Sequence, residues 1–255
     1  MADAAERAII PRYGKLVAGD IREKSADELV TIADEESEQI LTEGLAGILP
    51  EAAIVGEEAA AADGSVLDRL GRQLCWIIDP LDGTANFAAG EGPFGMLVAL
   101  AEGDEPIGGW IYDPRTRRFC SALLGEKAFV DGRQVRSRAS GNRPAIAAIS
   151  SLFADPVRNK RVRERIEPVF ETVPIPRCAA EQYPRTVLGV NDVTVYERTL
   201  PWDHAAGAIF LSEAGGRVSR FDGSPYRVGD ERRGLIAAAT PGLWEQTVGL
   251  LQDLD

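Results

Sequence analysis

Residues 76–87 read WIIDPLDGTANF, an apolar run that ends abruptly in acids, and this segment decides the fold and the chemistry that we expect. Asp79 follows directly on a run typical of a buried strand, where a lone carboxylate would be costly to desolvate. Pro80 stiffens the turn that follows, so that Asp82 can point back toward Asp79. Two acids that converge this closely favour a bound cation. The segment therefore predicts a strand end that carries chemistry.

The residues after Asp82 suggest a partner for that cation. If a helix begins at Gly83 and Thr84, its backbone N–H groups would face an anion bound beside the metal. The plain alternative is a turn and a helix cap, because Asp-Pro and Asp-Gly are common turn dipeptides. A calcium-binding loop is excluded, since Ile78 and Pro80 stand at its first two acidic places before the glycine.

Outward from this segment, the first half of the chain predicts helix followed by sheet. Five short apolar runs, each bounded by Gly, Pro or Asp, are typical of strands. They are AIVGEE ending at Glu58, CWIID ending at Asp79, FGMLVALAE, PIGGWIYDP and FCSALL. The segment up to about Gly47 is predicted to be helical, because apolar residues recur there near helical spacing. Pro11 tempers this interpretation for the first helix. Those residues are Ile9, Ile10, Leu16, Val17, Leu29, Ile32, Ile40 and Leu41.

The second half of the chain alternates between strand-like and helix-like segments, which predicts an α/β unit. We expect strands at AIAAIS and near Val173, a charged helix through Lys160 to Phe170, and a helix from Ala179. The change of pattern after about Arg136 divides the chain into an N-terminal α+β half, 1–136, and a C-terminal α/β half, 137–255.

The C-terminal segments have the clearest helix boundaries. Residues 201–216 read PWDHAAGAIFLSEAGG and predict a helix with Asp203 in its first turn and the two glycines at its end. A strand at GRVSRF follows. The last segment predicts a strand and a helix, with Pro241 just inside the helix start.

Composition excludes two classes of partner. Acidic residues outnumber basic ones by 40 to 28, which gives a formal net charge of -12, so most of the surface would repel a nucleic-acid backbone. Bound divalent cations invert the local electrostatics, so an acidic protein can still bind a phosphate ester. No run approaches the ~20 apolar residues that span a bilayer. We therefore expect no nucleic-acid partner and no membrane partner.

The cysteines indicate the redox compartment. Cys75, Cys120 and Cys178 are odd in number and widely spaced, with no CxxC pair, which argues against a disulfide framework and against a thiolate zinc site. A reducing environment fits this pattern best. The sequence therefore predicts a soluble, cytoplasmic protein.

Four segments together resemble the inositol monophosphatase family. Residues 76–87 and 201–216 look like its two signatures. VGEE at 55–58 looks like its metal-binding Glu segment, and LVTIAD at 29–34 looks like its Thr-x-x-Asp element. The resemblance implies an α/β (α+β) fold, a layered αβαβα sandwich like that of inositol monophosphatase and fructose-1,6-bisphosphatase. It also implies an Mg²⁺-dependent, Li⁺-sensitive phosphomonoesterase that forms a homodimer.

The same resemblance implies the ligands of two Mg²⁺ ions. Glu57, Asp79 and the backbone carbonyl of Leu81 would hold one ion. Asp79, Asp82 and Asp203 would hold the second, and some members of the family recruit a third ion beside Glu57. Hard oxygen ligands suit Mg²⁺, which keeps several waters, and one such water is the expected nucleophile.

Catalytic roles follow from the resemblance as well. Thr84, linked in the family to the Asp that matches Asp34, would work with Glu57 to orient and deprotonate the attacking water. Each position also has a plain alternative. Glu57 could be a solvated acid in a charged turn, Asp34 a surface helix residue, and Asp203 a helix N-cap.

The residues that would contact the alcohol depart from the family pattern. Inositol-specific members carry a carboxylate where this chain has Tyr196, with Glu197 beside it. The family's substrate loop, commonly Gly-Ser/Thr-Ala-Ala, is here Arg177-Cys178-Ala179-Ala180, so a cation replaces a glycine. The substrate contacts implied by the resemblance are Asp82, Gly83, Thr84, Arg177, Ala179 and Tyr196, with Arg185, Arg198 and Glu181 as further candidates.

Several small phosphorylated metabolites are compatible with these residues. Inositol-phosphate-like monoesters come first, and histidinol phosphate, fructose 1,6-bisphosphate and a 3′-phosphorylated adenosine nucleotide remain alternatives. An arginine near the pocket favours a second acidic group, whereas Glu181 could pair with the amine of histidinol phosphate. The alternative of another class is a non-catalytic relative that binds a phosphometabolite or a protein, and the complete set of acids argues against it.

Three remaining features have plain interpretations. His204, the only histidine, is assigned a packing role, because an Mg²⁺ site prefers oxygen ligands. Residues 90–95, GEGPFG, match the dinucleotide fingerprint GxGxxG, but the internal proline and the strand that follows predict a loop. The charged stretch RNKRVRERIE at 158–167 predicts a solvated helix face.

Overall fold

The computed structural model describes residues 1–25, 28–150 and 155–254. The helices are α1 (Ala2–Ala4), α2 (Ile32–Ile48), α3 (Glu57–Ala62), α4 (Thr84–Ala89), α5 (Pro156–Ile166), α6 (Ala179–Val187), α7 (Pro201–Glu213) and α8 (Pro241–Leu251). A π-helical turn covers Ala5–Ile9, and 3-10 turns cover Ile10–Arg12, Ala18–Asp20 and Gly64–Arg69. None of the helices in this part of the chain combines the length and the apolar character that a membrane crossing requires.

The strands form three sheets in the described part of the chain. A two-stranded sheet contains β1 (Ile21–Ser25) and β2 (Glu28–Thr31). The seven-stranded sheet runs in the order of the chain, through β3 (Ala53–Gly56), β4 (Cys75–Asp82), β5 (Gly95–Glu102), β6 (Glu105–Asp113), β7 (Arg118–Leu123), β8 (Ala128–Val130) and β9 (Arg133–Val135). The five-stranded sheet has the order β11-β10-β12-β14-β13 and contains β10 (Ile146–Ile149), β11 (Glu171–Pro174), β12 (Val193–Tyr196), β13 (Arg217–Ser219) and β14 (Leu235–Ala238).

The seven-stranded sheet is buried on both faces, and β4 shows this by its two-residue period. Cys75 and Ile77 face one apolar cluster, in which α6 and α7 pack on the sheet. Trp76 and Ile78 face a second cluster, which the N-terminal helical turns and α2 cover. Successive side chains of a strand point to opposite faces, so an unbroken apolar run is the expected sequence of a strand covered on both sides.

The five-stranded sheet repeats this arrangement. Along β14, Leu235 and Ala237 join the cluster of α6 and α7, whereas Ile236 and Ala238 join a third cluster with α5 and α8. The layers are therefore helix, sheet, helix, sheet, helix, with α6 and α7 in the middle. The αβαβα sandwich that the resemblance implied is confirmed.

One prediction about the N-terminal segment was wrong. We expected helix up to about Gly47, but β1 and β2 form an antiparallel hairpin, and α2 begins only at Ile32. Thr31 explains the boundary, because its hydroxyl accepts the N–H of Ala33 while Asp34 accepts the N–H of Thr31. This reciprocal capping box starts a helix and excludes the preceding residues from it.

Most of the other element predictions are confirmed. The five apolar runs of the first half and the segments at AIAAIS, near Val173 and at GRVSRF contain strands, although the two acids of AIVGEE begin α3, and a helix covers most of 201–216. The charged helix that we expected through Lys160 to Phe170 ends at Ile166, since Pro168 has no N–H group with which to continue it. Residues 90–94 form a loop rather than a dinucleotide turn. The sequence reading did not anticipate the strands β8, β9 and β12. The boundary at 136 lies between β9 and β10, and the division into two halves stays a prediction.

Close approach between the central helices and the first sheet depends on glycine. A Cβ atom added at Gly207 of α7 would lie 2.0 Å from the Tyr183 ring of α6. At Gly109 of β6, an added Cβ atom would lie 2.6 Å from the carbonyl oxygen of Ala206. The middle helix layer therefore fits only because these positions lack side chains.

We predict that Gly207→Ala lowers the free energy of unfolding by about 1–3 kcal/mol, because the new methyl group overpacks the contact between α6 and α7. Gly47→Ala is the matched control, since an added Cβ atom meets nothing within 4 Å at this helical position. The control should gain about 0.5–1 kcal/mol from helix propensity. Urea unfolding of the two variants measures both effects, and equal stabilities would contradict this packing.

Candidate functional site

The ends of two parallel strands bring the first two acids together. Strands β3 and β4 run parallel, with Gly56 opposite Ile78. Glu57 directly follows Gly56, and Asp79 directly follows Ile78. Both acidic side chains therefore emerge at the same edge of the sheet. The edge at which parallel strands end is a common location for ligand sites.

The start of α3 is held by a buried acid that the sequence reading did not single out. Glu38 of α2 accepts the backbone N–H groups of Glu58 and Ala59, each at 2.8 Å. Its carboxyl group also fills the space over Gly56, where an added Cβ atom would lie 2.3 Å away. The signal was present in the sequence, because Glu38 follows Asp34 by four residues and so shares its helix face.

A bulge in β4 directs the next acids into the site. Pairing with β5 is regular up to Asp79 opposite Leu97 and resumes at Asp82 opposite Gly95, with a shift of register between them. Pro80 lies inside the bulge. Because β4 and β5 are not paired there, the missing N–H group of proline costs no hydrogen bond between the strands. The Oδ1 atom of Asp79 accepts the N–H of Leu81 at 3.1 Å, which fixes this buried carboxylate.

The second half of the chain completes the cluster. Asp203 lies in the first turn of α7, where the helix dipole favours an acid. Asp79, Asp82 and Asp203 each offer a carboxylate oxygen, and these atoms all lie within 4.8 Å of one another. Asp82 also accepts the N–H of Ala180 at 2.6 Å, which connects the bulge to the first turn of α6.

Burial and neighbouring negative charges raise the pKa values of Asp79, Asp82 and Glu57, so the cluster fits a divalent cation. Burial, with the charges of Glu57 and Asp82, raises the pKa of Asp79 well above its ordinary value. Burial raises the pKa of Asp82 to about 6, against the hydrogen bond from Ala180 that lowers it. Burial likewise raises the pKa of Glu57. An all-oxygen donor set with excess negative charge is what hard cations such as Mg²⁺ prefer.

A threonine and a buried acid form a pair beside the cluster. The Thr84 hydroxyl lies 2.9 Å from Oδ1 of Asp34 and 2.9 Å from the carbonyl oxygen of Leu81. Thr31 donates both its N–H and its hydroxyl to the other oxygen of Asp34. Burial raises the pKa of Asp34 to about 6, although these hydrogen bonds lower it. The linkage between Thr84 and Asp34 that the resemblance implied is present in the structure.

Lys24 is a further residue of the site that the sequence reading missed. Its Nζ atom lies 3.0 Å from Glu57 and 2.5 Å from Glu58. Burial lowers the pKa of Lys24, but the two ion pairs more than offset this effect, so the pKa is raised overall. We had interpreted the segment around Lys24 as helix, and only the β1–β2 hairpin places its ammonium group over α3.

The predicted site residues converge on one cleft. Asp34 is the exception, because it lies behind Thr84 rather than on the surface of the cleft. The cleft is also lined by Cys178 of the predicted substrate loop and by residues that we had not assigned to it, namely Leu29, Ala85, Ser150, Ile175 and His204. The predicted residues that line it are Glu57, Asp79, Leu81, Asp82, Gly83, Thr84, Arg177, Ala179, Tyr196 and Asp203.

Two of the further candidates lie elsewhere. Glu181 pairs with Arg118 at 2.6 Å and with Arg185 at 2.7 Å, and neither Glu181 nor Arg185 lines the cleft. Two arginines therefore already neutralise the carboxylate that we had considered for a substrate amine. Arg198 does line the cleft and pairs with Asp203 at 3.6 Å.

His204 has the packing role that we expected. Its Nε2 atom donates to the carbonyl oxygen of Arg198 at 2.9 Å, so Nδ1 accepts the Tyr183 hydroxyl at 3.0 Å. Burial lowers the pKa of His204 to about 3, which keeps the ring neutral. With both nitrogen atoms engaged inside the protein, the histidine supports the start of α7.

Comparison with known proteins bears on the whole chain. The sequence pattern of the "Inositol monophosphatase family" matches residues 1–255. A fructose-1,6-bisphosphatase/inositol-1-monophosphatase of Aquifex aeolicus is 30% identical over 234 residues, covering 89% of this chain and 85% of that protein. An inositol-1-monophosphatase of Caulobacter vibrioides is 30% identical over 234 residues, covering 89% of each. The solved structure of an IMPase from Thermotoga maritima, 24% identical, matches the fold with a TM-score of 0.81 over 100% of this chain and 94% of that one.

We predict opposite effects of Asp79→Asn on thermal stability with and without Mg²⁺. The pKa of Asp79 is raised in the folded state, so ionised Asp79 destabilises that state relative to the unfolded chain. In chelator, stability therefore falls as the pH rises from the ordinary pKa of an aspartate toward the raised pKa. The amide removes this penalty and keeps the oxygen that accepts the Leu81 N–H. In chelator at pH 8 the variant should therefore melt above the wild type.

Excess Mg²⁺ should reverse this order, because an ion that binds only the folded state stabilises it in proportion to its affinity. Glu164→Gln on the exposed side of α5 is the control and should respond to Mg²⁺ as the wild type does. An equal gain of melting temperature in Asp79→Asn and in the wild type would refute the metal site.

Proposed function

Because the chain belongs to the inositol monophosphatase family, we propose that it is an Mg²⁺-dependent phosphomonoesterase that hydrolyses a small phosphorylated metabolite. Family membership supports the phosphatase activity. The observation that carries the metal dependence is the convergence of Asp79, Asp82 and Asp203, whose ligand atoms lie within 4.8 Å of one another. Separate segments of the chain supply these acids to one cleft.

Two Mg²⁺ sites fit the residues of the cleft. Glu57, Asp79 and the Leu81 carbonyl would hold one ion. Asp79, Asp82 and Asp203 would hold the other, with Asp79 common to both. Bound ions would neutralise phosphate charge, polarise the phosphorus and lower the pKa of water. A third ion beside Glu57, as in some relatives, would compete with the ammonium group of Lys24.

Thr84 and Glu57 would prepare the water that attacks. When the Thr84 hydroxyl donates to Asp34, its lone pairs accept a hydrogen bond from a water in the cleft. Glu57 takes a proton from that water while the water oxygen forms the new bond to phosphorus. The ester P–O bond breaks in the same displacement, and the leaving alcohol takes up a proton from solvent.

The remaining substrate contacts are proposed from the resemblance and from their place in the cleft. Gly83 and Thr84 lie beside the acids and would donate to phosphate oxygens. Ala179, Arg177 and Tyr196 also line the cleft and would contact the alcohol. Inositol-phosphate-like monoesters come first among the substrates on family grounds. Homodimer formation, Li⁺ inhibition and a cytoplasmic location stay predictions.

Phosphate release tests this function. We expect purified protein to release phosphate from at least one of inositol 1-phosphate, histidinol phosphate, fructose 1,6-bisphosphate and adenosine 3′,5′-bisphosphate in Mg²⁺. Chelator should abolish release, and Li⁺ should inhibit it. Asp79→Asn should be inactive because it lacks the shared ligand. Activity that survives chelation or this substitution would sink the mechanism, and no release from any ester would favour a binding protein.

We also predict that Thr84→Ala lowers kcat by about 10²–10⁴-fold, because the water loses its hydrogen-bonding partner. KM should change little, since the metal ligands remain. Thr84→Ser keeps the hydroxyl and should retain most of the activity. Thr116→Ala, in an exposed turn, is the control. Steady-state kinetics of the three variants decide the point, and a normal kcat for Thr84→Ala would remove this residue from the mechanism.

A further inference from the structure

The cleft carries cationic and neutral groups as well as acids. Arg177 and Ile175 come from the loop between β11 and α6, and Tyr196 comes from the end of β12. The acids at the start of α3, in β4 and in α7 account for the proposed metal ligands. The Arg177 loop and the end of β12 are therefore left to bind the remainder of the substrate.

Arg177 occupies a backbone position that favours glycine. Its φ angle is 55°, in the left-handed region, where a residue with a side chain costs on the order of 1 kcal/mol. The substrate loop of the family that this chain resembles commonly has a glycine at this position. This chain instead carries an arginine at the strained position, on the surface of the cleft.

The charge of Arg177 is available to a ligand. Neighbouring arginines are engaged, since Arg198 pairs with Asp203, and both Arg118 and Arg185 pair with Glu181. Within residues 1–25, 28–150 and 155–254, Arg177 makes no hydrogen bond and no ion pair. Its guanidinium offers two parallel N–H donors, the geometry that matches phosphate and carboxylate groups.

Tyr196 adds a neutral donor to the same cleft. The residue is 6% exposed, and its buried hydroxyl makes no hydrogen bond of ordinary geometry among the described residues, although Thr194 is close enough to influence it. A phenol keeps its proton at neutral pH. A carboxylate at this position, as in inositol-specific members, would accept ring hydroxyls and repel an anion. The phenol can donate to an anion instead.

We infer that the substrate's alcohol carries a second anionic group, a phosphate or a carboxylate, which pairs with Arg177 and accepts a hydrogen bond from Tyr196. This inference rests on the proposed phosphatase function and names its substrate class. Only the ester beside the acids is hydrolysed. The second group stays bonded to the alcohol and serves for recognition.

Matched substrate pairs test the inference. Fructose 1,6-bisphosphate and fructose 1-phosphate share one ester and differ by a second phosphate. Similarly, 2-phosphoglycerate and glycerol 2-phosphate differ by a carboxylate. We expect the wild type to favour the more anionic ester in at least one pair, mainly through KM, and the pair that shows the preference identifies the second group. No preference in either pair would overturn the inference while leaving the phosphatase function intact.

Variants locate the second-anion site. Arg177→Gly suits the backbone at φ 55°, and it should reduce the preference about 10- to 100-fold, as expected for loss of a charge-assisted hydrogen bond. Arg177→Lys should restore part of the preference, and Tyr196→Phe should lower it less. Arg185→Gln is the matched control, because its partner Glu181 lies outside the cleft. The same loss of preference in Arg185→Gln would overturn the assignment.

A binding measurement decides the matter independently of turnover. The rise in melting temperature with fructose 1,6-bisphosphate and with fructose 1-phosphate can be compared in wild type and in Arg177→Gly. A larger rise with the bisphosphate that disappears in the variant would support the second-anion site, even if no phosphate were released. Equal rises in the wild type would refute it, whereas absence of turnover alone would count against the proposed function.

Discussion

Mutual repulsion among clustered carboxylates is the constraint on which this structure depends. Asp79 is almost fully buried, and Asp82 and Asp203 approach it within a few ångströms, so burial and both charges raise the pKa of Asp79. A chain that assembles such a cluster must offset the charge with hydrogen bonds, with helix termini or with a cation. All three means are available here, since Ala180 donates to Asp82, α7 begins beside Asp203, and the oxygen ligands suit Mg²⁺.

The layered fold brings together acids that are far apart in the sequence. Parallel pairing of β3 and β4 places Glu57 beside Asp79, and the bulge in β4 turns Asp82 toward them. Asp203 arrives from the other side, because α7 lies in the middle layer and packs on the first sheet. Glycines at the contacts of this layer allow the close approach. The cleft is thus the place where the two sheets and their shared helices meet.

The two parts of the cleft differ in how strongly they restrict the side chains that they can carry. One part contains the acids Asp79, Asp82 and Asp203, whose clustered oxygen atoms could hold a metal ion, and ligand geometry leaves few alternatives there. Arg177 and Tyr196 line the same cleft, and neither of them belongs to this acidic cluster. A family can therefore keep its chemistry and change its substrate by exchanging side chains on one loop and one strand end.

The sequence by itself determined the elements and the chemistry that depend on local pattern. The apolar run before Asp79 predicts a strand covered on both faces, and the signature segments predict the layered fold and the acids of the site. Local pattern could not place Lys24 on Glu57 or turn Glu181 toward Arg118, because those contacts join segments that are far apart in the chain. It also misassigned the β1–β2 hairpin, where the helical spacing of apolar residues continues through a strand. Tertiary structure decided these points, because packing and ion pairing across the fold outweigh the weak preferences of short segments.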